Sequence, residues 1–176
     1  MIRNDQFVQS WFYGHATSEP ANMSADGRLL ISYGTGVAVR GSNYVIITED
    51  TFSQTTSQQL GLIPYHRSRV FYTDAFEYGR TDIIPDLKDC MRFSHGLLVK
   101  ALVELKTYTR RPSINLRLDI IARQLNVTDA LVQEGVKPRK ARKTKVPAKV
   151  RAVCAANVLT GVRVEASQFV LEHTYE

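Results

Sequence analysis

No apolar run in this chain approaches the roughly 18 residues that a membrane-crossing helix needs, so no membrane partner is expected. The opening MIRNDQFVQSWFYG has no long apolar core, and a secretory leader is not expected either. Cysteine is scarce: Cys90 and Cys154 are the two, far apart in sequence. Without an export signal they read as free buried thiols of a reducing compartment, which makes the expected location cytoplasmic. The four histidines, His15, His66, His95 and His173, form no His-x-x-x-His pair, and there is no Cys-x-x-Cys, so no metal site is expected. Cys90 and His95 lie five apart on one helical stretch and point to different faces. Gly34-Thr35-Gly36 lacks the later glycine and the lysine of a phosphate loop, and no Gly-x-Ser-x-Gly elbow appears. Glu49-Asp50 fall in a turn after a strand, where solvation accounts for them. The reading is a non-enzyme with no catalytic residue and no cofactor.

Acidic residues are missing altogether from one segment. Between Lys137 and Arg151 the chain carries Lys137, Arg139, Lys140, Arg142, Lys143, Lys145, Lys149 and Arg151, and no Asp or Glu. Removing these eight from the 23 Lys and Arg leaves 15 against 17 acids, so the formal charge of +6 becomes −2 elsewhere. A polyanion partner is therefore expected at this segment. KPRKARKTKVPAKVR also has two prolines and almost no large apolar side chain, so it reads as an arm that cannot fold alone. Eight cations would hold a phosphate backbone through counterion release, with strong salt dependence and little sequence preference. The bland alternative is a solvated linker.

What is present elsewhere is ordinary folding signal. Phe7, Val8, Trp11 and Phe12 share one helical face that Gly14 ends, with Trp11 and Phe7 as core anchors. Leu29–Tyr33, Val37–Arg40 and Tyr44–Thr48 read as three strands separated by turns at Gly34-Thr35-Gly36 and Gly41-Ser42-Asn43, a β-meander. Thr55 with Gln58 suggests a capping box for a short helix ending near Gly61, with a hydroxyl-lined anion pocket as the sharper alternative. His66–Tyr72 reads as another strand. The aromatics Tyr65, Phe71, Tyr72, Phe76 and Tyr78, interleaved with Arg67 and Arg69, are core residues or base-stacking ones. Pro85 opens the clearest helix, with Asp86 and Asp89 in its first turn and Leu87, Met91, Ser94, Leu98, Ala101, Leu102, Leu105 and Tyr108 on one face. A second helical pattern, Ser113–Leu125, breaks at Asn126-Val127-Thr128. Thr128 then caps a third short helix that Gly135 stops. Val150–Leu159 reads as a helix and Val162–His173 as a strand at its start.

Two stretches carry resemblances. Val8, Trp11, Asn22-Met23, Gly27, Ser32-Tyr33-Gly34, Val37-Ala38 and Ser53-Gln54-Thr55-Thr56-Ser57, in that order, resemble a small family of phage-encoded proteins with no assigned activity. The resemblance covers residues 8–58 and implies a phage or mobile-element origin, hence a host-cell or virion setting. Gln58-Gln59 stand where that family has a basic residue and a histidine. Residues 118–136, LDIIARQLNVTDALVQEGV, resemble a helix-turn-helix, with Ala122 at the crossing, Leu125 and Val127 flanking the turn and Val132 facing the core. Asp129 and Glu134 are the wrong sign for a recognition helix, and only Thr128 and Gln133 suit base contact.

The expectation is an α+β protein: a small antiparallel sheet (a meander) with flanking helices over residues 1–78, a helical hairpin over 79–136, a basic arm over 137–151 and a C-terminal helix/strand over 152–176. The expected role is an accessory protein that binds DNA or RNA mainly through backbone phosphate contacts of the arm. Arg110, Arg111, Arg117 and Arg123 are candidates to extend the footprint. The alternative is a protein-interaction role, as a virion component or host-directed inhibitor, with an acidic protein surface as partner and a homo-oligomer as the assembly.

Overall fold

The computed structural model describes residues 2–15, 19–50, 53–107, 110–137 and 146–152, without the Arg111 side chain. It is an α+β chain that divides into two compact units, residues 1–93 and 94–176.

The first unit is built on a five-stranded sheet in the order β1-β2-β3-β4-β5, with β1 Met23–Asp26, β2 Leu29–Ser32, β3 Thr35–Arg40, β4 Tyr44–Thr48 and β5 Arg69–Thr73. The meander is present, and β1 extends it. Four residues of modest apolarity, MSAD, form that strand because Met23 and Ala25 reach the core while Ser24 and Asp26 turn away. The β2–β3 turn is Tyr33-Gly34 alone, with φ of 50° and 76°, the positive pair that a two-residue hairpin of matching twist requires. Gly36, expected in that turn, lies inside β3. A Cβ there would meet Leu29 Cδ1 at 3.1 Å, so its smallness serves packing.

The sheet is mixed, which corrects the antiparallel expectation. β5 runs parallel to β4, pairing Tyr44 with Arg69 and Thr48 with Thr73. The connection carries helix α2 (Gln54–Leu60) and a 3-10 turn (Tyr65–Arg67), and so returns the chain to the end where β4 began. Helix α1 (Asn4–Tyr13) buries Phe7, Val8 and Trp11, as its pattern demanded, against Met23, Leu30, Val37, Ala38, Val45 and Ile47. Leu29, Val39, Ile46 and Phe71, on the opposite face, are buried as well. Burial on both faces accounts for the near-continuous apolarity of YVIIT.

α2 starts earlier than expected: Ser53, not Thr55, is the N-cap, its Oγ accepting from Thr56 N at 3.3 Å. Helix α3 (Leu87–Leu105) opens on a reciprocal cap. Asp86 Oδ1 accepts from Lys88 N and Asp89 N at 2.8 and 3.1 Å, and Asp86 N donates to Asp89 Oδ2 at 2.9 Å.

The second unit is a helical hairpin of α3 from Ser94 onward and helix α4 (Arg111–Gln133). Leu98, Ala101 and Leu105 pack with Ile114, Leu118 and Ile121. Ser94 Oγ donates to Gln124 Oε1 at 2.7 Å near one end, and Arg117 pairs with Glu104 nearer the other, so the helices are antiparallel. The break expected at Asn126-Val127-Thr128 is absent: α4 runs through it unbroken. Thr128 caps nothing. Its Oγ1 donates back to Leu125 O at 2.9 Å within the same helix, and Leu131 beyond it is fully buried, which ties the last turns to the rest. The expected strand within 162–173, the later part of the 150–159 helix and Cys154 lie outside the described residues.

Candidate nucleic-acid interface

α4 ends where the charge begins. Gly135 takes φ +88°, its N–H donates to Val132 O at 2.9 Å, and Val136 N donates to Leu131 O at 3.1 Å. This paired closure of the last carbonyls needs a left-handed residue at that point, which glycine supplies without strain. The chain leaves the helix with Lys137 exposed.

Residues 138–145, with Arg139, Lys140, Arg142, Lys143 and Lys145, lie outside the described residues. Beyond them the chain is tied down on other elements, which a segment unable to fold alone requires. Val146 and Val150, four apart on a helical turn closed by Arg151 N to Pro147 O at 3.1 Å, are 8% and 1% exposed. Both belong to the apolar cluster of α3 and α4. Lys149 and Arg151 remain exposed on the same turn. The arm's low apolar count hid this because two valines at helical spacing suffice when a groove between helices already exists.

The other candidates separate. Thr128 is half-buried with its hydroxyl spent inside the helix, whereas Gln133 is exposed; five residues apart, they face different directions. Arg117 is occupied by Glu104. Arg110 and Arg123 are exposed, but Arg110 precedes the first turn of a helix about 35 Å long, so it stands at the opposite end from Lys137.

Of the aromatic group, Phe71 and Phe76 are core. The half-buried Tyr65 donates its hydroxyl to Leu60 O at 2.6 Å, and burial, with Tyr72 nearby, pushes its pKa up to about 12. Tyr72 and Tyr78 are exposed. Arg67 lies over the Tyr13 ring at 5.8 Å, a contact that the sequence separation concealed.

The hydroxyl-rich segment after β4 makes a closed cluster instead of a pocket. Ser32 Oγ donates to Gln59 Oε1 at 2.6 Å and lies 3.2 Å from Thr56 Oγ1, which is 3.3 Å from Ser53 Oγ. Ser32, Thr56 and Gln59 are all buried, and Gln59 Nε2 has no described partner. A shallow cleft of about 710 Å³ opens instead beside the start of α1, lined by Ile2, Arg3, Asp5, Pro20, Asn22 and Leu62. Among the described residues that line it the one cation, Arg3, is matched to Asp5 at 2.9 Å.

Cys90 is fully buried, and burial, with Asp89 and Asp86 adding repulsion, pushes its thiol up to about 12, which disfavours the thiolate at neutral pH. Among the described residues no three His, Cys, Asp or Glu side chains come together as a metal site, and no helix is long and apolar enough to cross a membrane. Comparison with known proteins found no family model, no curated protein and no solved structure that matches the chain.

Proposed function

We propose that this is a nucleic-acid-binding accessory protein, phage-encoded, whose segment Lys137–Arg151 contacts backbone phosphate. The observation that carries the reading is the concentration of eight cations, unaccompanied by any acid, in fifteen residues of a chain that is otherwise slightly anionic. Burial of Val146 and Val150 supports it further. A segment fastened at its downstream end gives up less conformational freedom on meeting a polyanion than a free tail does. The resemblance of residues 8–58 supports the phage setting. The arm is a phosphate clamp with little sequence preference, because phosphate contacts carry no base identity.

A gel shift with random duplex, single strands and RNA at two salt concentrations tests this. Changing Lys140, Arg142, Lys143 and Lys145 to glutamine should abolish retention and flatten the log–log salt slope on duplex by up to about 3.6. Retention that is unchanged in this variant overturns the arm as the contact. Absence of any retention by the parent protein turns the reading to the alternative of an acidic protein surface.

A further inference from the structure

We propose that the first unit carries a second nucleic-acid contact, at the end of the sheet where Arg28, Arg40 and Arg67 meet the exposed Tyr13, and that it takes a single strand. The proposal shares the ligand class of the reading above but none of its residues.

The topology gathers these groups. The β1–β2 and β3–β4 turns lie at the same end of the meander, and the parallel return of β5 brings the 3-10 turn to that end too. Arg40 N donates to Arg28 O at 3.0 Å, one step beyond the Leu29–Val39 pair, so the two arginines stand directly opposite each other. They share the face of Leu30, Ala38 and Val45, the face that α1 covers. Asp26, the nearby acid on β1, pairs with Leu29 in register and so belongs to the other face.

Like charges placed directly across two strands repel. Here no described carboxylate is within ion-pair distance of either arginine. Arg40 lies against the C-terminal turn of α1: a Cβ on Gly14 would come within 3.2 Å of its Nη1. Its Nε is buried with no hydrogen-bond partner. That turn also ends on Tyr13, 47% exposed, with the Arg67 guanidinium stacked on it. The opposite end of the sheet presents Glu49, Asp50 and Asp74, so the unit is electrically polarised along its strands.

A phosphate beside the exposed Arg28 would offset the repulsion between the two arginines. The Arg67–Tyr13 stack beside it offers a flat cationic–aromatic surface of the kind that takes an unpaired base. In a duplex the bases are already stacked and cannot reach such a surface, whereas a single strand offers phosphate and base together.

The test uses the full chain and fluorescence anisotropy with a labelled single-stranded oligonucleotide and its duplex, over a salt series. R28Q/R67Q should weaken single-strand binding about tenfold and flatten its log–log salt slope by about 0.7, the share of the one phosphate at Arg28. Tyr13→Ala should weaken the single strand by about tenfold and leave the duplex unchanged. Both changes are at exposed positions, and unchanged circular dichroism confirms the fold. If R28Q/R67Q binds as the parent does while the arm variant loses binding, the sheet end is not a contact and the arm stands. The reverse result removes the arm and keeps the sheet end. Equal losses on duplex and single strand in Tyr13→Ala overturn the single-strand preference, and a parent protein that binds neither overturns both proposals.

Discussion

In the sheet unit Ser32 donates to Gln59 at 2.6 Å; in the helical unit Ser94 donates to Gln124 at 2.7 Å, and both bonds are buried. The surroundings differ. Ser94 and Gln124 sit between two helices of 19 and 23 residues that apolar rows already align. Their bond fixes the register of surfaces that would meet anyway. Ser32 and Gln59 join a strand end to α2, seven residues long, far too short to hold itself. There the bond belongs to a chain of hydroxyls reaching the N-cap Ser53. Where apolar area is generous, a buried polar pair selects among arrangements; where it is meagre, the pair helps to hold the element in place.

The widest test of this contrast is in the two cores. Phe71→Ala should destabilise the sheet unit by about 3–5 kcal/mol, and Leu118→Ala the helical unit by about 2–5 kcal/mol, read from denaturant midpoints.

Alkaline pH should strike the sheet unit next. Tyr65 and Cys90 both hold their protons to about pH 12 in the folded chain, against ordinary values of 10.0 and 9.0. The unfolded chain releases those protons first, so their contribution is whole below pH 9 and drains away between pH 9 and 12. Urea midpoints at pH 8 and pH 10.5 should differ less in the Tyr65→Phe, Cys90→Ala double variant than in the parent. An equal drop in both would remove these groups as the cause.

Ser32→Ala should cost about 1–3 kcal/mol, since it strips Gln59 of its described partner. Gln59→Leu should cost less, because it also removes the Nε2 that lacks one. If the two changes cost the same in thermal melts, Nε2 is satisfied in solution. The smallest effect is the cap: Ser53→Ala should cost about 1 kcal/mol, seen as faster amide exchange across α2. No change in exchange would mean that the Ser32 link alone holds the helix.

Much of the architecture was legible in advance, and for local reasons. YVIIT, the Phe7–Trp11 spacing and the Leu98–Leu105 row each declare their element within a few residues. What escaped depends on distance. The β5 orientation was not visible because no residue in β5 records which way its neighbour runs. Thr128 misled because a hydroxyl after Asn126 can cap a new helix or bond back within an old one, and the burial of Leu131 decides which. Of the candidate interface, the arm's charge was plain, but its fastening was not, since Val146 and Val150 look unremarkable until a groove is there to take them. The Arg28–Arg40 pair appears only once two turns are known to share an end.

The double attachment of the basic segment also sets a leash. From Lys137, just past α4, to the docked Val146 the backbone has nine steps, which at full stretch measure roughly 30 Å. An out-and-back excursion of that contour rises at most about 15 Å from the hairpin. Covalent geometry alone therefore keeps the backbone between these two anchors within that distance of the hairpin.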